Sequence, residues 1–299
     1  MPKAEWEGVQ HTILILDKNV HQIPWESLPC LDGHAISRLP SLASLREILV
    51  GKKMDTDQVK PGVYVDENKG AWILNPGGDL TSTHSTFENE LSSLPPSWTG
   101  IASRAPSEQE FRDALDSSDI LLYFGHGSGA QFIRARTVKK LDECAVALLM
   151  GCSSGALKEA GEFQPYGMPL AYLLGGSAAV VANLWDVTDK DIDKFSKKAL
   201  EEWGLFSSSS ASRYAKTGVG EVGKTPAKTP RKRSKSRGRD RTTDDTGLFG
   251  TGVLVGEGGG GGKGKVSLVE AVARGRAECH LKYLNGAAPV VYGVPVYLA

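Results

Sequence analysis

The sequence contains no apolar run of 18 or more residues, and no charged segment followed by an apolar leader lies near Met1. It therefore predicts neither a transmembrane helix nor a signal peptide. The chain has only four cysteines in 299 residues, and none of them forms a Cys-x-x-Cys pair. No histidine lies at metal-ligand spacing from a cysteine, so we expect no metal site and no cofactor. Scattered cysteines in a domain of this size are typical of reduced thiols, which predicts a location in the cytoplasm and nucleus.

The formal net charge is zero, but one tract carries a strong positive charge. Residues 213–241 contain eleven Lys and Arg against two acids, a local net charge of +9. The surrounding residues 207–265 are Ser-rich, then basic, then Gly-rich, with few large apolar side chains. Such a composition cannot offset the entropy lost on ordering. We therefore predict that residues 207–265 are a disordered insertion within a single domain spanning residues 1–299, because structured-looking sequence resumes at Val266.

The rest of the chain alternates between short apolar runs and amphipathic segments. Six runs suit buried strands: 12–16, 71–74, 120–124, 145–150, 178–185 and 290–298. Segments typical of helices span 41–49, 85–94, 107–115, 167–176, 188–206 and 267–284. Ser107 with Glu110 matches the N-terminal capping box, and Thr188 with Asp191 is a weaker version. This alternation predicts an α/β fold with a mainly parallel six-stranded sheet and helices on both faces.

Two of the predicted strands run directly into glycine-rich motifs that carry reactive side chains. The strand at 120–124 is followed by Gly-His-Gly-Ser-Gly with His126, and the strand at 145–150 by Gly-Cys-Ser-Ser-Gly with Cys152. Glycines allow tight turns and close backbone approach, so that N–H groups can face a developing oxyanion. An imidazole beside a thiol raises the population of the reactive thiolate. Because parallel strands end at the same edge of a sheet, we expect His126 and Cys152 to lie close together.

These motifs resemble the caspase-like cysteine peptidases, which use a His–Cys dyad in this order. More specifically, the chain resembles the catalytic domain of separases. The blocks that carry this resemblance, in chain order, are IPWESLP (23–29), WILNPGGDL (72–80), YFGHGSG (123–129), LMGCSSG (149–155) and NLWDVTDKDID (183–193). They cover most of the chain outside residues 207–265, which match nothing in the pattern. The chain would then be a fragment of a larger protein.

The resemblance implies a role for each residue of the two motifs. Cys152 would be the nucleophile and His126 its general base, and the backbone amides of Gly127 and Cys152 would form the oxyanion hole. Substrates would be cut after arginine in acidic-x-x-Arg contexts. An arginine at the position before the cut (P1) requires a carboxylate in its pocket.

Four acids in the loop after the fifth predicted strand are candidates for that carboxylate: Asp186, Asp189, Asp191 and Asp193. Asp186 is favoured because it directly follows the strand end. The other three lie in the first turn of a predicted helix, where an acid also complements the helix dipole, so a purely structural role stays open for them.

The resemblance also implies the partners. The substrate would be the kleisin subunit of cohesin, whose cleavage releases sister chromatids, and securin would be the inhibitor. No membrane contact is expected. The basic tract has no aromatic residue between Lys216 and Arg241 to stack bases, so nucleic-acid binding by the catalytic domain is not expected either. Thr225 and Thr229 in this tract both have the Thr-Pro-x-Lys form that suits phosphorylation by proline-directed kinases.

Two other functions stay open at this point. Residues 151–155 also fit Gly-x-Ser-x-Gly, so Ser153 could be the nucleophile of an α/β-hydrolase-like serine esterase. Two features count against an esterase. The segment after the motif carries two Gly and two Pro instead of leading into a helix, and the downstream His280 lies inside a predicted helix. The third possibility is a catalytically inactive scaffold that binds partners through its basic insertion.

The choice between these functions can be tested at neighbouring residues. Cys152→Ser should abolish cleavage, and Ser153→Ala should leave substantial activity, because only the thiol can act as the proposed nucleophile. An arginyl acyloxymethyl ketone peptide should label Cys152, as mapped by mass spectrometry. The opposite mutational pattern would favour the esterase, and absence of any labelling would favour the scaffold.

Overall fold

The apolar runs form strands in the computed structural model, which describes residues 11–51, 61–207 and 265–299. The strands are β1 (Thr12–Ile15), β2 (Ile36–Leu39), β3 (Val63–Val65), β4 (Gly70–Leu74), β5 (Thr99–Ala102), β6 (Ile120–Phe124), β7 (Val146–Leu149), β8 (Lys158–Ala160), β9 (Phe163–Tyr166), β10 (Ala179–Asn183), β11 (Pro289–Gly293) and β12 (Val296–Leu298). The helices are α1 (Leu42–Gly51), α2 (Thr81–Ser92), α3 (Glu108–Asp116), α4 (Ala135–Val138), α5 (Met168–Leu174), α6 (Asp189–Trp203) and α7 (Leu268–Gly275). Short 3₁₀ turns occur at Trp25–Ser27 and Arg276–Glu278.

Eight of the strands form one central sheet in the order β1-β2-β11-β10-β7-β6-β4-β5. All neighbours in it are parallel except β10 and β11, which are antiparallel. All six predicted strands are present, and β2 and β5 are additional. Both are four residues long and carry polar or small residues, so their sequences have little strand signal. The last predicted run divides after Gly293 (φ +127°), and β12 pairs with β3 in a separate two-stranded sheet.

Helices cover both faces of the sheet, as two adjacent residues of β6 show. Phe87 of α2 stacks on Phe124, with ring centroids 4.0 Å apart. Phe111 of α3 packs against Tyr123 at 5.8 Å. Since successive strand residues point to opposite faces, α2 and α3 lie on opposite sides. The prediction of a mainly parallel α/β sheet covered on both faces is confirmed.

The helix ends confirm one predicted cap and correct two other predictions. Ser107 and Glu110 form the capping box at the start of α3. Thr188 does not cap α6 with its side chain; its hydroxyl accepts a hydrogen bond from Asn285 Nδ2 at 2.8 Å. The helix predicted to reach Leu284 ends at Gly275 and continues only as a 3₁₀ turn. None of the helices within the described ranges is long and apolar enough to span a membrane.

A buried arginine in β2 attaches the segment before it to the sheet. The guanidinium of Arg38 makes two hydrogen bonds to the carboxylate of Glu26, at 2.6 and 2.7 Å. It also donates to the backbone oxygens of His21 and Ile23. Both charged side chains are 1% exposed. The block at 23–29 therefore has a structural role at the edge of the core.

Removing one partner of this pair should destabilise the domain strongly. Glu26→Gln leaves a buried guanidinium without its countercharge, and breaking such a pair typically costs about 3–5 kcal/mol in the free energy of unfolding. Denaturant unfolding followed by circular dichroism measures the loss. Glu162→Gln, which breaks the pair of an almost fully exposed Glu162 with Lys18, is the matched control and should have a much smaller effect. Equal losses in the two variants would contradict the role of the buried pair.

Candidate active site

The turn that follows β6 presents His126 at the carboxyl edge of the sheet. The hydroxyl of Tyr123 donates a hydrogen bond to the backbone oxygen of His126 at 2.9 Å. Gln131 Nε2 donates to the same oxygen at 3.1 Å. Gly127 has a φ of +58°, a backbone conformation that favours glycine. These contacts hold the turn, so His126 has a defined position.

The turn that follows β7 presents Cys152 at the same edge. Asn183, at the end of β10, donates from Nδ2 to the backbone oxygens of Met150 and Gly151 at 3.2 and 3.1 Å. The hydroxyl of Ser154 donates to Leu149 O at 2.7 Å and accepts from the backbone N–H of Asn183 at 2.9 Å. The end of one neighbouring strand therefore holds the cysteine-bearing turn in place.

The two turns are in direct backbone contact through Gly151. A Cβ atom at Gly151 would lie 2.1 Å from Gly127 O and 2.5 Å from Gly127 N. Within the described residues, the amides of Gly127 and Cys152 donate no hydrogen bond to another protein group. Two adjacent N–H groups without a protein acceptor are what an oxyanion hole requires. The arrangement is consistent with the predicted roles of these two amides.

His126 and Cys152 line one small pocket together, as the strand order predicts. In this structure the Cys152 thiol donates to Val187 O at 3.2 Å. His126 Nε2 lies 2.7 Å from Asp79 Oδ2. Among the hydrogen bonds of the described residues, none joins the two side chains. The pair shares a cavity, and each side chain has its own polar partner.

Asp79 was not among the predicted site residues. It lies in the loop that joins β4 to α2, and β4 is the parallel neighbour of β6. The hydrogen bond with His126 lowers the pKa of Asp79 below its ordinary value. Because parallel neighbours end at the same edge, a polar residue shortly after β4 is expected near His126, and this was the signal in the sequence that pointed to Asp79.

The four candidate acids for the arginine pocket have different surroundings in the structure. Asp186 is exposed, accepts a hydrogen bond from the Ser153 hydroxyl at 2.6 Å, and is not among the residues that line the pocket. Asp191 is buried and accepts from the backbone N–H groups of residues 280 and 281 and from Asn285 Nδ2. Of the four, Asp189 and Asp193 line the pocket with His126 and Cys152.

Asp193 is the buried acid of this pocket. It is 4% exposed, and Thr83 of α2 donates a hydrogen bond to its Oδ2 at 3.0 Å. Burial raises the pKa of Asp193 to about 6, and the nearby charge of Asp189 acts in the same direction. The carboxyl group therefore lies in an environment where a cationic partner is strongly favoured.

The geometry also bears on the esterase alternative. The Ser153 hydroxyl donates to Asp186, and no hydrogen bond among the described residues joins it to a histidine. The next helix begins only at Met168, after the β8–β9 hairpin, unlike the direct strand-to-helix turn of an α/β-hydrolase. One argument against the esterase was wrong. His280 lies in a loop after α7 and not inside a helix.

No group of three or more metal-ligating side chains occurs among the residues described. The tract 207–265 lies almost entirely outside the described ranges, and so do Thr225 and Thr229. The predictions of a disordered insertion and of phosphorylation at these threonines therefore stay predictions.

Comparison with known proteins identifies the family. The fold is that of the caspase-like peptidases, because the chain superposes on the separase of a Saccharomyces cerevisiae separase–securin crystal structure with a TM-score of 0.73. The two are 32% identical, over 97% of this chain and 16% of that one. Residues 2–192 match the family model described as "Separin, protease domain". The separins of Emericella nidulans and Schizosaccharomyces pombe are 47% and 42% identical to this chain over 95% and 98% of it.

The chain belongs to the separin family and contains its protease domain. It spans 11% and 13% of the length of the two fungal separins.

The backbone contact at Gly151 makes a specific prediction. Gly151→Ala should lower kcat/KM for an arginyl peptide by on the order of 10²-fold, since displacing a reacting group by about 1 Å has an effect of this size. Gly155→Ala, in the same turn, is the matched control. Its Cβ would approach Ala182 and Asn183 only to 3.1 Å, so the loss should be smaller. Melting temperatures of both variants separate a local effect from unfolding. Near-normal turnover by Gly151→Ala would contradict the assignment of this contact.

Proposed function

We propose that this chain is a cysteine endopeptidase that cleaves protein substrates after arginine. The observation that carries the proposal is the pocket that Cys152, His126 and Asp193 share at the carboxyl edge of the sheet. It supplies a nucleophile, a base and a buried carboxylate within one cavity. Membership of the separin family supports the same activity.

The reaction begins with transfer of the Cys152 thiol proton to His126. The thiolate attacks the carbonyl carbon of the scissile peptide bond, and the negative charge moves to the carbonyl oxygen. The N–H groups of Gly127 and Cys152 stabilise that oxyanion. His126 then donates its proton to the leaving amine, and water hydrolyses the thioester. The movement of the thiol from Val187 O toward the imidazole is the first rearrangement this sequence requires.

We assign recognition of the P1 arginine to Asp193, with Asp189 as a second acid on the pocket wall. Asp193 is held by Thr83 through one oxygen, which leaves the other available to a guanidinium. Desolvation strengthens an ion pair of this kind relative to one in solvent. The exposed Asp186, favoured from the sequence, is bonded to Ser153 and is less suited to this role.

The pocket has a volume of about 20 Å³, room for one or two water molecules. Its lining includes Thr83 of α2 and Asp189, Ile192 and Asp193 of α6. The hydrogen bond between Thr83 and Asp193 joins these two helices across the pocket.

The biological role follows from the family and is part of the proposal. We propose that the substrate is the kleisin subunit of cohesin, cut at an acidic-x-x-Arg site in chromosome segregation. A solved relative is a separase–securin complex, which supports securin as an inhibitory partner. We also propose that the protein acts in the cytoplasm and nucleus.

The assignment of Asp193 can be tested with matched substrates. Asp193→Asn should lower kcat/KM for an arginyl peptide by about 30-fold or more, because loss of one member of a buried charge pair costs about 2–5 kcal/mol. Asp186→Asn should have a smaller effect, and a lysyl peptide should be a poorer substrate because it lacks the forked contact.

The pH dependence of kcat/KM is a second test of the assignment of Asp193. Below about pH 6 the Asp193 carboxyl becomes neutral and cannot pair with a guanidinium. The kcat/KM of an arginyl peptide relative to its neutral citrulline analogue should therefore fall as the pH drops through 6. This ratio cancels the titration of the dyad, since both substrates need it. A ratio independent of pH, or a larger loss in Asp186→Asn, would place the specificity carboxylate elsewhere.

A further inference from the structure

The loop of residues 75–80 is anchored to the strand that precedes His126. The backbone N–H of Asn75 donates to Phe124 O at 2.7 Å, at the end of β6. Asn75 is buried, and its side-chain oxygen accepts from the N–H of Leu80 at 2.9 Å. Its backbone oxygen accepts from Gly78 N at 3.1 Å. The loop is therefore held at both ends by one asparagine, directly beside the histidine turn.

Two glycines in this loop leave space for a carboxylate. A Cβ atom at Gly77 would lie 2.8 Å from Asp79 Oδ1 and 3.9 Å from His126 Cδ2. Gly78 has a φ of +78°, a backbone conformation that residues with a side chain rarely adopt. The Asn-Pro-Gly-Gly-Asp sequence thus brings Asp79 Oδ2 to 2.7 Å from His126 Nε2, a short contact typical of a charge-assisted hydrogen bond.

We propose that Asp79 is a positioning residue that keeps the His126 proton on Nε2 and leaves Nδ1 free to accept the Cys152 thiol proton. This inference rests on the proposed function, because it names the third member of that site. When the proton moves from sulfur to Nδ1, the imidazole gains a positive charge that the Asp79 carboxylate stabilises. Asp79 itself stays ionised throughout. It does not line the pocket, so it acts on turnover and not on binding of the P1 side chain.

The exposure of this pair sets the size of the expected effect. The side chains of His126 and Asp79 are 57% and 60% exposed, so solvent screens their interaction. We therefore expect Asp79→Asn to lower kcat on the order of 10- to 100-fold, the range seen when the orienting partner of a metal-bound imidazole is removed. KM for an arginyl peptide should change less than about twofold.

A second histidine–carboxylate pair, with a half-buried His84 and an exposed Glu88, provides the control. His84 Nε2 lies 3.7 Å from Glu88 Oε1 on α2, and neither residue lines the pocket. Glu88→Gln should leave kcat unchanged. The proposal is overturned if Asp79→Asn keeps kcat within twofold of the unmodified chain, or if its loss is entirely in KM.

A double-mutant cycle with Gly77 separates positioning from a loss of folding. Gly77→Ala should lower kcat in the unmodified chain, because the added methyl group displaces the Asp79 carboxylate. In the Asp79→Asn background the same substitution should have little further effect, since the interaction it disturbs is already lost. Additive losses would mean that the loop acts independently of the aspartate and would overturn the proposal.

Nuclear magnetic resonance of the His126 imidazole tests the proposal without peptide cleavage. In the Cys152→Ala chain with ¹⁵N-labelled histidine, long-range ¹H–¹⁵N spectra at alkaline pH should show His126 as the Nε2–H tautomer, and Asp79→Asn should decrease its population. His126→Gln identifies the signals. A predominant Nδ1–H tautomer with Asp79 intact would overturn the proposal. If the chain cleaves no arginyl peptide, the proposed function fails, and this spectrum still tests the contact.

Discussion

The close approach of two backbone turns at the ends of β6 and β7 is the constraint on which the site depends. Gly151 lies so near Gly127 that a single methyl group would overlap its carbonyl oxygen and amide nitrogen. This contact places the histidine and cysteine motifs side by side. Parallel pairing of adjacent strands brings the turns to one edge. The absence of a side chain at Gly151 then allows the two turns to touch.

Two buried asparagines form hydrogen bonds at the same edge of the sheet, one on each side of β6 and β7. Asn75 joins the loop after β4 to the end of β6, and Asn183 joins the end of β10 to the turn after β7. The backbone N–H of Asn75 donates to Phe124 O and its side-chain oxygen accepts from the N–H of Leu80, whereas the Asn183 side chain donates from Nδ2, so each residue satisfies backbone groups that a tight turn leaves unpaired. Both are buried, which strengthens these hydrogen bonds relative to bonds in solvent. His126 and Cys152 therefore follow strands whose ends are joined to neighbouring segments by hydrogen bonds.

Burial distinguishes the acids of one short segment, although the sequence favours Asp186. Asp186, Asp191 and Asp193 lie within eight residues, yet the first faces solvent, the second accepts from backbone amides, and only the third of them lines the pocket with His126 and Cys152. The helical repeat of α6 and the position of α2 decide this, because Thr83 and Asp193 meet across the two helices. A carboxyl group that is costly to ionise when alone is suited to select a cation.

The sequence by itself determined the six principal strands, the edge of the sheet that carries chemistry, and the proximity of His126 and Cys152. These features follow from local runs of apolar residues and from the rule that parallel strands end together. Only the tertiary structure decided that Asp79 meets the imidazole and that Asp193, not Asp186, lines the pocket. It also added β2 and β5, whose short sequences carry little strand signal and which pair with β1 and β11 and with β4, respectively. The physical reason is that strand order, helix packing and burial bring together residues that are far apart in the chain, and the local sequence pattern does not indicate those contacts.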